Sequence, residues 1–204
     1  MNSNSRARVD YTERARVIRL ERGEAFFDVE HDAQRPFWVV AGGSWVRAVG
    51  TAFNVYVRPS GVRVTVSEGT VKVAASAATS SQAPSDLQLA RSPVAVLKAG
   101  QQVDVHGAAT QVRSLAPVEL TRSVSWRSGT VYFKDERLAD VVDELSRYTT
   151  LQIVIEDDAL RELGVGGTFE ANAQGAEALL TTLQDGFGLR VHREGRNAYI
   201  TESE

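Results

Sequence analysis

Apolar and polar residues alternate with a period of two through the first part of the chain. Between Gly23 and Val73 the sequence reads GEAFFDVE, RPFWVV, AVGTAFNVYV and VRVTVSEGTVKV, with glycine between the apolar runs. Alternation puts one set of side chains on a buried face and the other in water, which is typical of antiparallel β-strands. The segment predicts a packed β-domain and contains no catalytic constellation.

A pattern of apolar-x-x-Gly followed by alternating residues occurs four times, starting at Leu20, Val66, Leu97 and Trp126. Because glycine tolerates positive φ, each copy is expected to turn the chain back as the next strand of a hairpin. The copies form either a true repeat or the turns that recur in any β-protein. Both interpretations predict an all-β, antiparallel, sandwich- or solenoid-like domain over residues 8–120.

Within that domain, residues 74–93 read AASAATSSQAPSDLQLARSP. A stretch of such small and polar residues buries too little apolar surface to fix one conformation. Strand-like sequence resumes at Val94, which argues against a domain boundary. We interpret residues 74–93 as a mobile excursion inside the β-domain.

After Trp126 the pattern changes to the spacing of an amphipathic helix, followed by a return to period two. A shift of 38 residues maps the apolar positions of this region onto a second set in the same order. The pattern predicts a small α+β domain over residues 121–204, made of two βαβ half-repeats that share one core and closed by a strand at Ala198–Thr201. The first set is Leu138, Val141, Val142, Leu145, Leu151 and Ile153, and the second is Ala176, Leu179, Leu180, Leu183, Leu189 and Val191.

The composition narrows the class of protein. The chain has 204 residues, of which 43% are hydrophobic, and no cysteine. Its net charge of −3 divides into +3 before a cut after Leu120 and −6 beyond it. This asymmetry argues against nucleic-acid binding, and the absence of cysteine excludes disulfides and thiolate metal sites.

No apolar run approaches the roughly 18 residues of a membrane span, and MNSNSRARVD lacks a signal-peptide core, so we expect a soluble fragment of a longer protein.

Candidate chemistry is sparse. His31, His106 and His192 have no metal-ligand spacing, and the serines form no GxSxG motif. Residues 164–167, GVGG, lack a following Walker lysine and favour a strand with close backbone approach. We therefore predict no enzyme, metal or cofactor.

Three further features have two interpretations each. Asp135–Glu136 and Asp157–Asp158 either complement a basic partner or favour helix starts, and the first pair is expected to begin the helix at Leu138. Trp126 either sets the angle between the domains or packs in one core.

The β-domain residues resemble the FecR domain of iron-uptake sigma-factor regulators. The second region, from WRSGTVYF through GTFEANAQGAEALLTTL to GLRVH, is similar to the secretin and TonB short N-terminal (STN) domain that ends many of these regulators. In Arg35-Pro36-Phe37, the proline suits the start of an edge strand. The most specific FecR-like segments are Gly23-Glu24-Ala25 with Phe27 and Val29, Arg35-Pro36-Phe37 with Val39, Gly50-Thr51 with Phe53-Asn54-Val55, and Glu68-Gly69 with Val71.

The resemblance implies a cell-surface signalling role in the periplasm. Family members have a cytoplasmic anti-sigma segment, one membrane helix and a periplasmic region. That region binds the N-terminal signalling domain of a TonB-dependent transducer loaded with a ferric siderophore, and the cytoplasmic segment controls an extracytoplasmic-function sigma factor. We expect the present sequence to be without the cytoplasmic segment and the membrane helix. It corresponds to the sensory half of an inner-membrane, single-pass protein.

We expect the second domain to bind the transducer, because both partners share the small STN fold and exposed strands can pair across an interface. Some candidate residues must be core, and the opposite face of the strands is expected to carry an apolar Val154. The candidates are Leu151, Gln152, Ile153, Val154, Ile155, Phe169, Leu189, Arg190, Val191 and His192.

An alternative hypothesis is an envelope scaffold or a carbohydrate-binding module. It predicts exposed aromatic side chains on one sheet of the β-domain, with Trp38 and Trp45 as the candidates.

Overall fold

The structure is a computed structural model that describes residues 1–13, 15–75, 95–106 and 109–203. Its internal contacts divide the chain into two compact units, Met1–Val124 and Ser125–Glu204. Of the excursion predicted at residues 74–93, only 74 and 75 are described, and they end a strand. The rest of that segment lies outside the described residues.

The first unit contains a sheet of ten strands followed by a short helix. These elements are β1 (Arg6–Tyr11), β2 (Arg16–Val29), β3 (Phe37–Ala41), β4 (Ser44–Ala48), β5 (Thr51–Arg58), β6 (Gly61–Glu68), β7 (Thr70–Ala75), β8 (Ala95–Lys98), β9 (Gln101–His106), β10 (Ala109–Ser114) and α1 (Pro117–Ser123).

The long strand β2 joins two layers of this sheet. Its first half, Arg16–Leu20, pairs with β3, and its second half, Gly23–Val29, pairs with β5. One layer continues through β4, β7 and β8, and the other through β6, β9 and β10. β1 pairs with β2, and the β2–β3 pair is parallel while the other described pairs of the unit are antiparallel.

The first core is formed by buried side chains from both layers, including Phe53, Val64, Val71 and Leu97, each fully buried. Such two-sided packing around one core is the sandwich-like arrangement that the alternation predicts.

The glycines of the apolar-x-x-Gly pattern adopt the predicted backbone conformation, with φ of 79° at Gly23, 81° at Gly69, 78° at Gly100 and 79° at Gly129. The prediction that each begins a hairpin is wrong, because the strands flanking them do not pair with each other. Gly23 lies inside β2, Gly69 links β6 to β7, and Gly100 links β8 to β9. These three glycines mark the points where the chain passes from one layer to the other.

The strand after Pro36 is also placed differently from the prediction. β3 pairs with β2 on one side and β4 on the other, so it is not an edge strand. Proline is compatible with this central strand because Pro36 precedes its first residue, and no ladder hydrogen bond requires its missing N–H.

The segments that carry the FecR resemblance meet in this unit. The buried Glu24 carboxylate accepts hydrogen bonds from Asn54 Nδ2 at 2.7 Å and from Asn2 Nδ2 at 2.6 Å. A Cβ on Gly69 would lie 2.7 Å from the Thr51 methyl group, so the Glu68-Gly69 segment also touches the Gly50-Thr51 segment. These residues therefore have packing and hydrogen-bonding roles.

Trp38 and Trp45 are each only 2% exposed, so the expectation that these two side chains are exposed is wrong. They form a separate small core with Val17 and Ala74, and their rings meet edge to face at 5.8 Å. Both lie on the face of their strands opposite to the first core, because their neighbours Val39 and Val46 belong to that core.

The second unit contains two sheets and two α-helices. Its elements are β11 (Thr130–Arg137), α2 (Leu138–Leu145), β12 (Gln152–Ile155), β13 (Gly164–Glu170), α3 (Ala173–Phe187), β14 (Arg190–Glu194) and β15 (Asn197–Thr201), with 3₁₀ turns at Ser125–Ser128, Ser146–Tyr148 and Asp158–Glu162.

Two βαβ half-repeats are present, β11-α2-β12 and β13-α3-β14. Their first strands pair as a two-stranded sheet, β11–β13, and their last strands flank β15 in a three-stranded sheet ordered β12-β15-β14. One core joins side chains of both helices to both sheets, including Phe133, Leu145, Leu179 and Ile200. The apolar positions related by the 38-residue shift all belong to or pack against this core, except that Ala176 is buried without being part of it.

Helix α2 begins at Leu138, after Arg137, so the prediction that Asp135 or Glu136 begins it is wrong. Asp135 instead lies at an irregularity of β11 with φ of 53°, a conformation uncommon for a residue with a side chain. Gly164 in β13 accommodates it, since a Cβ there would lie 2.0 Å from Asp135 Oδ1. The GVGG stretch is thus a strand with close approach, as predicted.

Helix α3 has capping residues at both ends. The Asn172 side chain accepts hydrogen bonds from the N–H groups of Gln174 and Gly175, and Gly188 ends the helix with a left-handed φ of 68°. At Gly175 the helix touches β13, because a Cβ there would lie 1.9 Å from the Glu170 carbonyl oxygen.

Trp126 packs against the core of the second unit, which is the one-core interpretation of this residue. The acidic Asp157 accepts a hydrogen bond from the Glu202 N–H, and Asp158 pairs with Arg161 in the 3₁₀ turn. Both aspartates therefore have partners within the unit.

The predicted fold class, an all-β domain followed by a small α+β domain, is confirmed. In the described residues, no helix is long and apolar enough to span a membrane.

Candidate partner-binding site

The three-stranded sheet of the second unit carries most of the predicted binding residues. Its strands are in register so that Val154, Tyr199 and His192 form one row across β12, β15 and β14. Alternation separates the side chains of each strand into an inner face toward the helices and an outer face.

Five of the predicted residues lie on the inner face. Ile155 is buried, while Leu151, Ile153, Leu189 and Val191 are partly buried and pack against the core. Phe169 is buried too, but it lies on β13 and belongs to the other sheet. The structure therefore places these six residues in or against the core. Phe169 lies in the two-stranded sheet, apart from the three-stranded sheet that carries the other five.

The other four predicted residues, Gln152, Val154, Arg190 and His192, lie together on the outer face and are exposed. Val154 is 37% exposed, which makes it an apolar side chain in contact with water at the centre of its strand. Val154 is therefore an exposed apolar residue on the outer face, as the alternation predicts.

Tyr199 is a residue of this face that the sequence analysis did not select. It lies between Val154 and His192 on the central strand, and its ring stacks on that of His192 at 4.8 Å with an angle of 12° between planes. Its hydroxyl accepts a hydrogen bond from Asn197 Nδ2 at 3.1 Å. The alternation of the strand sequence NAYIT indicates this placement. Because Ala198 and Ile200 are buried, the side chains between and beside them, Asn197, Tyr199 and Thr201, face the outer side of the sheet.

The strand β14 is one edge of the sheet. It is joined to β15 by the two-residue turn Gly195–Arg196, with Glu194 opposite Asn197. In an antiparallel hairpin of this kind the hydrogen-bonded pairs alternate, so the backbone groups of Val191 and Arg193 point away from β15. Among the described residues, β15 is the strand that pairs with β14, and these groups do not face it.

The Arg193 side chain is directed to α3, where Nη1 donates to Glu177 Oε1 at 3.1 Å and Nη2 pairs with Oε2. The hydrogen bonds that Arg193 donates to the Glu177 carboxylate raise the pKa of Arg193, so this arginine is a fixed positive charge. On the outer face, His192 Nε2 lies 3.8 Å from Glu194 Oε1.

The strand β12 is the opposite edge and has different surroundings. The carbonyl of Ile155 accepts a hydrogen bond from Arg161 Nη2 at 3.5 Å, so the 3₁₀ turn after the strand partly covers this edge. Glu156, Asp157 and Asp158 follow the strand directly. The two edges of one sheet thus differ in charge and accessibility.

A row of Val154, Tyr199 and His192 rimmed by polar groups is the kind of surface that a protein partner covers, since interfaces favour aromatic anchors inside a polar rim. The described residues contain no group of three or more histidine, aspartate or glutamate side chains arranged to hold a metal ion.

The fold matches solved structures over its whole length. Two crystal structures of a proposed anti-sigma factor from Parabacteroides distasonis each align with a TM-score of 0.78, covering 100% of this chain and 89% of that one. The sequence identity is 22%, so the likeness concerns the fold. No curated protein matches the chain at a significant level.

Family models identify both units. The model described as "FecR protein" matches residues 1–72, and the model described as "FecR, C-terminal" matches residues 130–200. The two matches follow in the order of the two units and together span more than half of the sequence. The chain belongs to the FecR family.

Proposed function

We propose that this chain is the periplasmic sensory region of a transmembrane sigma-factor regulator. Its membership of the FecR family supports a regulatory role, and the fold neighbour described as a proposed anti-sigma factor agrees with it. The partner in this proposal is the N-terminal signalling domain of a TonB-dependent outer-membrane transducer, and the signal is the arrival of a ferric siderophore.

The observation that carries the proposal is the outer face of the three-stranded sheet. The helices cover only the inner face, and the outer face presents Val154 and the Tyr199–His192 stack without a covering element among the described residues of this unit. A sheet with an open face and open edges can accept a second small α+β domain by face packing or by strand pairing.

In the proposed mechanism the second unit, which we regard as STN-like, docks the transducer domain. The first unit forms the rest of the sensory region, and an extracytoplasmic-function sigma factor is bound by a cytoplasmic segment separate from both units. The chain itself performs no chemistry in this scheme; it converts binding outside the inner membrane into a change of state of the regulator.

The proposal is tested by isothermal titration calorimetry between this chain and the signalling domain of its cognate transducer. Binding that is retained by the full chain and abolished when residues 125–204 are deleted supports it. No heat of binding at high micromolar concentration of the correct partner contradicts it, and retained affinity after the deletion moves the site to the first unit.

The carbohydrate-binding alternative has no support in the structure, because its two candidate residues are buried. A glycan-binding face requires aromatic rings open to solvent, whereas Trp38 and Trp45 are each 2% exposed.

A further inference from the structure

The strand β14 lies at the edge of its sheet, and among the described strands it pairs with β15 alone. Its side chains form two rows, one on each face of the sheet. Val191 and Arg193 direct their N–H and C=O groups outward, as the register with β15 requires. A strand laid beside β14 would extend the three-stranded sheet by one strand. Its side chains would then continue the two rows that β14 begins, one on each face.

On the outer face this edge has a net positive charge, because two arginines flank its one acidic residue, Glu194. Arg190 is exposed at the start of β14, and Arg196 is exposed in the turn that ends it. Within the part of the chain that the structure describes, neither arginine makes an ion pair, and Glu194 Oε1 lies 3.8 Å from His192 Nε2. Opposite charges facing each other across neighbouring strands stabilise the pair, so the incoming strand should carry acidic residues here.

On the inner face the row is apolar except at Arg193, whose side chain pairs with Glu177 of α3. Leu189 and Val191 pack against the core yet are only partly buried, although most of the core residues are fully enclosed. Apolar residues of an added strand would cover the surface that these two side chains leave open.

The opposite edge does not suit the same ligand. β12 is followed by Glu156 and Asp157, whose charges repel an acidic strand, and the Arg161 side chain donates to the Ile155 carbonyl. The charge and the accessibility of the two edges therefore both favour β14 as the edge that binds an acidic strand.

From this geometry we infer that β14 is the strand acceptor of the chain, and that its ligand is an extended segment in which acidic and apolar residues alternate. The inference rests on the proposed function, in which this segment belongs to the transducer's signalling domain. It adds the edge, the mode of binding and the chemistry of the bound strand.

One matched pair of variants isolates the backbone contact. Arg193→Pro removes the outward N–H and the side chain, whereas Arg193→Ala removes the same side chain and its contact with Glu177 but keeps the N–H. Proline is tolerated on an edge strand where its nitrogen faces outward, so the fold should persist. The charge is tested separately by the double variant R190E/R196E, with Glu156→Lys on the other edge as its control.

Two probes are used with these variants, and amide shifts in nuclear magnetic resonance spectra report the site of binding. The first probe is the cognate transducer domain. The second is a short synthetic peptide of alternating glutamate and valine, compared with the same peptide carrying lysine instead of glutamate.

We expect the glutamate peptide and the transducer domain to shift the amides of Val191 and Arg193 in the wild type. The Arg193→Pro and R190E/R196E variants should bind at least tenfold more weakly, and Arg193→Ala and Glu156→Lys should bind like the wild type. If the spectrum of Arg193→Pro shows a loss of fold, the charge variants and the peptide pair decide the matter.

The inference is overturned if the lysine peptide binds as well as the glutamate peptide, or if R190E/R196E leaves both affinities unchanged. Binding of the transducer domain with no effect at β14 overturns the edge assignment and leaves the proposed function standing. Binding of the glutamate peptide at β14 without binding of the transducer domain overturns the proposed function and leaves the edge assignment standing. No binding of either probe overturns both.

Discussion

The imidazole of His192 stacks on the phenol of Tyr199, with the ring centroids 4.8 Å apart and the planes 12° from parallel. The two residues are direct cross-strand neighbours on the outer face of β14 and β15. Tyr199 also lies opposite the exposed Val154 of β12. The stack therefore forms the centre of an open surface and is held in place by the sheet itself.

Replacing Tyr199 with alanine should weaken binding of the transducer domain by about 1–2 kcal/mol, because aromatic anchors at the centre of an interface contribute most of its energy. Calorimetry measures the change, and Gln111→Ala, at an exposed position of β10, is the control. Equal affinities for the wild type and the Tyr199 variant would exclude this face from the interface.

Gly175→Ala should destabilise the second unit by about 1–3 kcal/mol, since the added methyl group would lie 1.9 Å from the Glu170 carbonyl oxygen and would force α3 away from β13. Urea unfolding followed by circular dichroism measures the loss.

Gly186→Ala is the matched control in the same helix. A Cβ at Gly186 meets nothing within 4 Å, so alanine should stabilise the unit by up to about 1 kcal/mol through its higher helix propensity. Equal effects of the two substitutions would show that the close approach at Gly175 has no energetic role.

Trp45→Ala should destabilise the first unit by about 3–5 kcal/mol, because this ring is buried and packs edge to face on Trp38 at 5.8 Å. Thermal unfolding measures the effect. If the variant kept its stability but lost affinity for a glycan, the result would support the carbohydrate-binding hypothesis.

Asp143→Asn should stabilise the second unit near neutral pH. Partial desolvation, with a smaller effect from Asp140, raises the pKa of Asp143 above its ordinary 3.8, so the folded state disfavours the ionised carboxylate. For a carboxyl group of raised pKa the stabilising contribution is present below 3.8 and is lost as the pH rises through the folded-state value.

The gain from Asp143→Asn is expected to be small, because the side chain is exposed, and to disappear at acidic pH. Melting temperatures of both proteins across the pH range provide the test. A destabilised variant at neutral pH, or a difference that persists at acidic pH, would contradict the assignment.

Much of the second unit follows from sequence periodicity. The spacing of Leu138, Val141, Val142 and Leu145 gives the face of α2, and its copy 38 residues later gives that of α3. The placement succeeds because each half-repeat has one apolar face and a single partner layer to bury it. The same alternation correctly separated Val154 and His192 from Ile153 and Val191.

The first unit was less predictable for a physical reason. Phe37, Trp38 and Val39 are buried in succession, so both faces of β3 are covered and alternation no longer distinguishes core from surface. Nor does local sequence reveal that β2 pairs in parallel with β3 or that Gly23 bends one long strand, since both depend on distant partners. The stack of Tyr199 on His192 likewise depends on the register between β14 and β15, which local sequence does not reveal.

Hydrogen–deuterium exchange of the chain, with and without the transducer's signalling domain, tests the central claim most directly. We predict slower exchange in the complex for backbone amides of β14, with little change across the strands of the first unit. Protection confined to the first unit, with β12, β14 and β15 exchanging as in the free chain, would contradict the assignment of the binding surface to the three-stranded sheet.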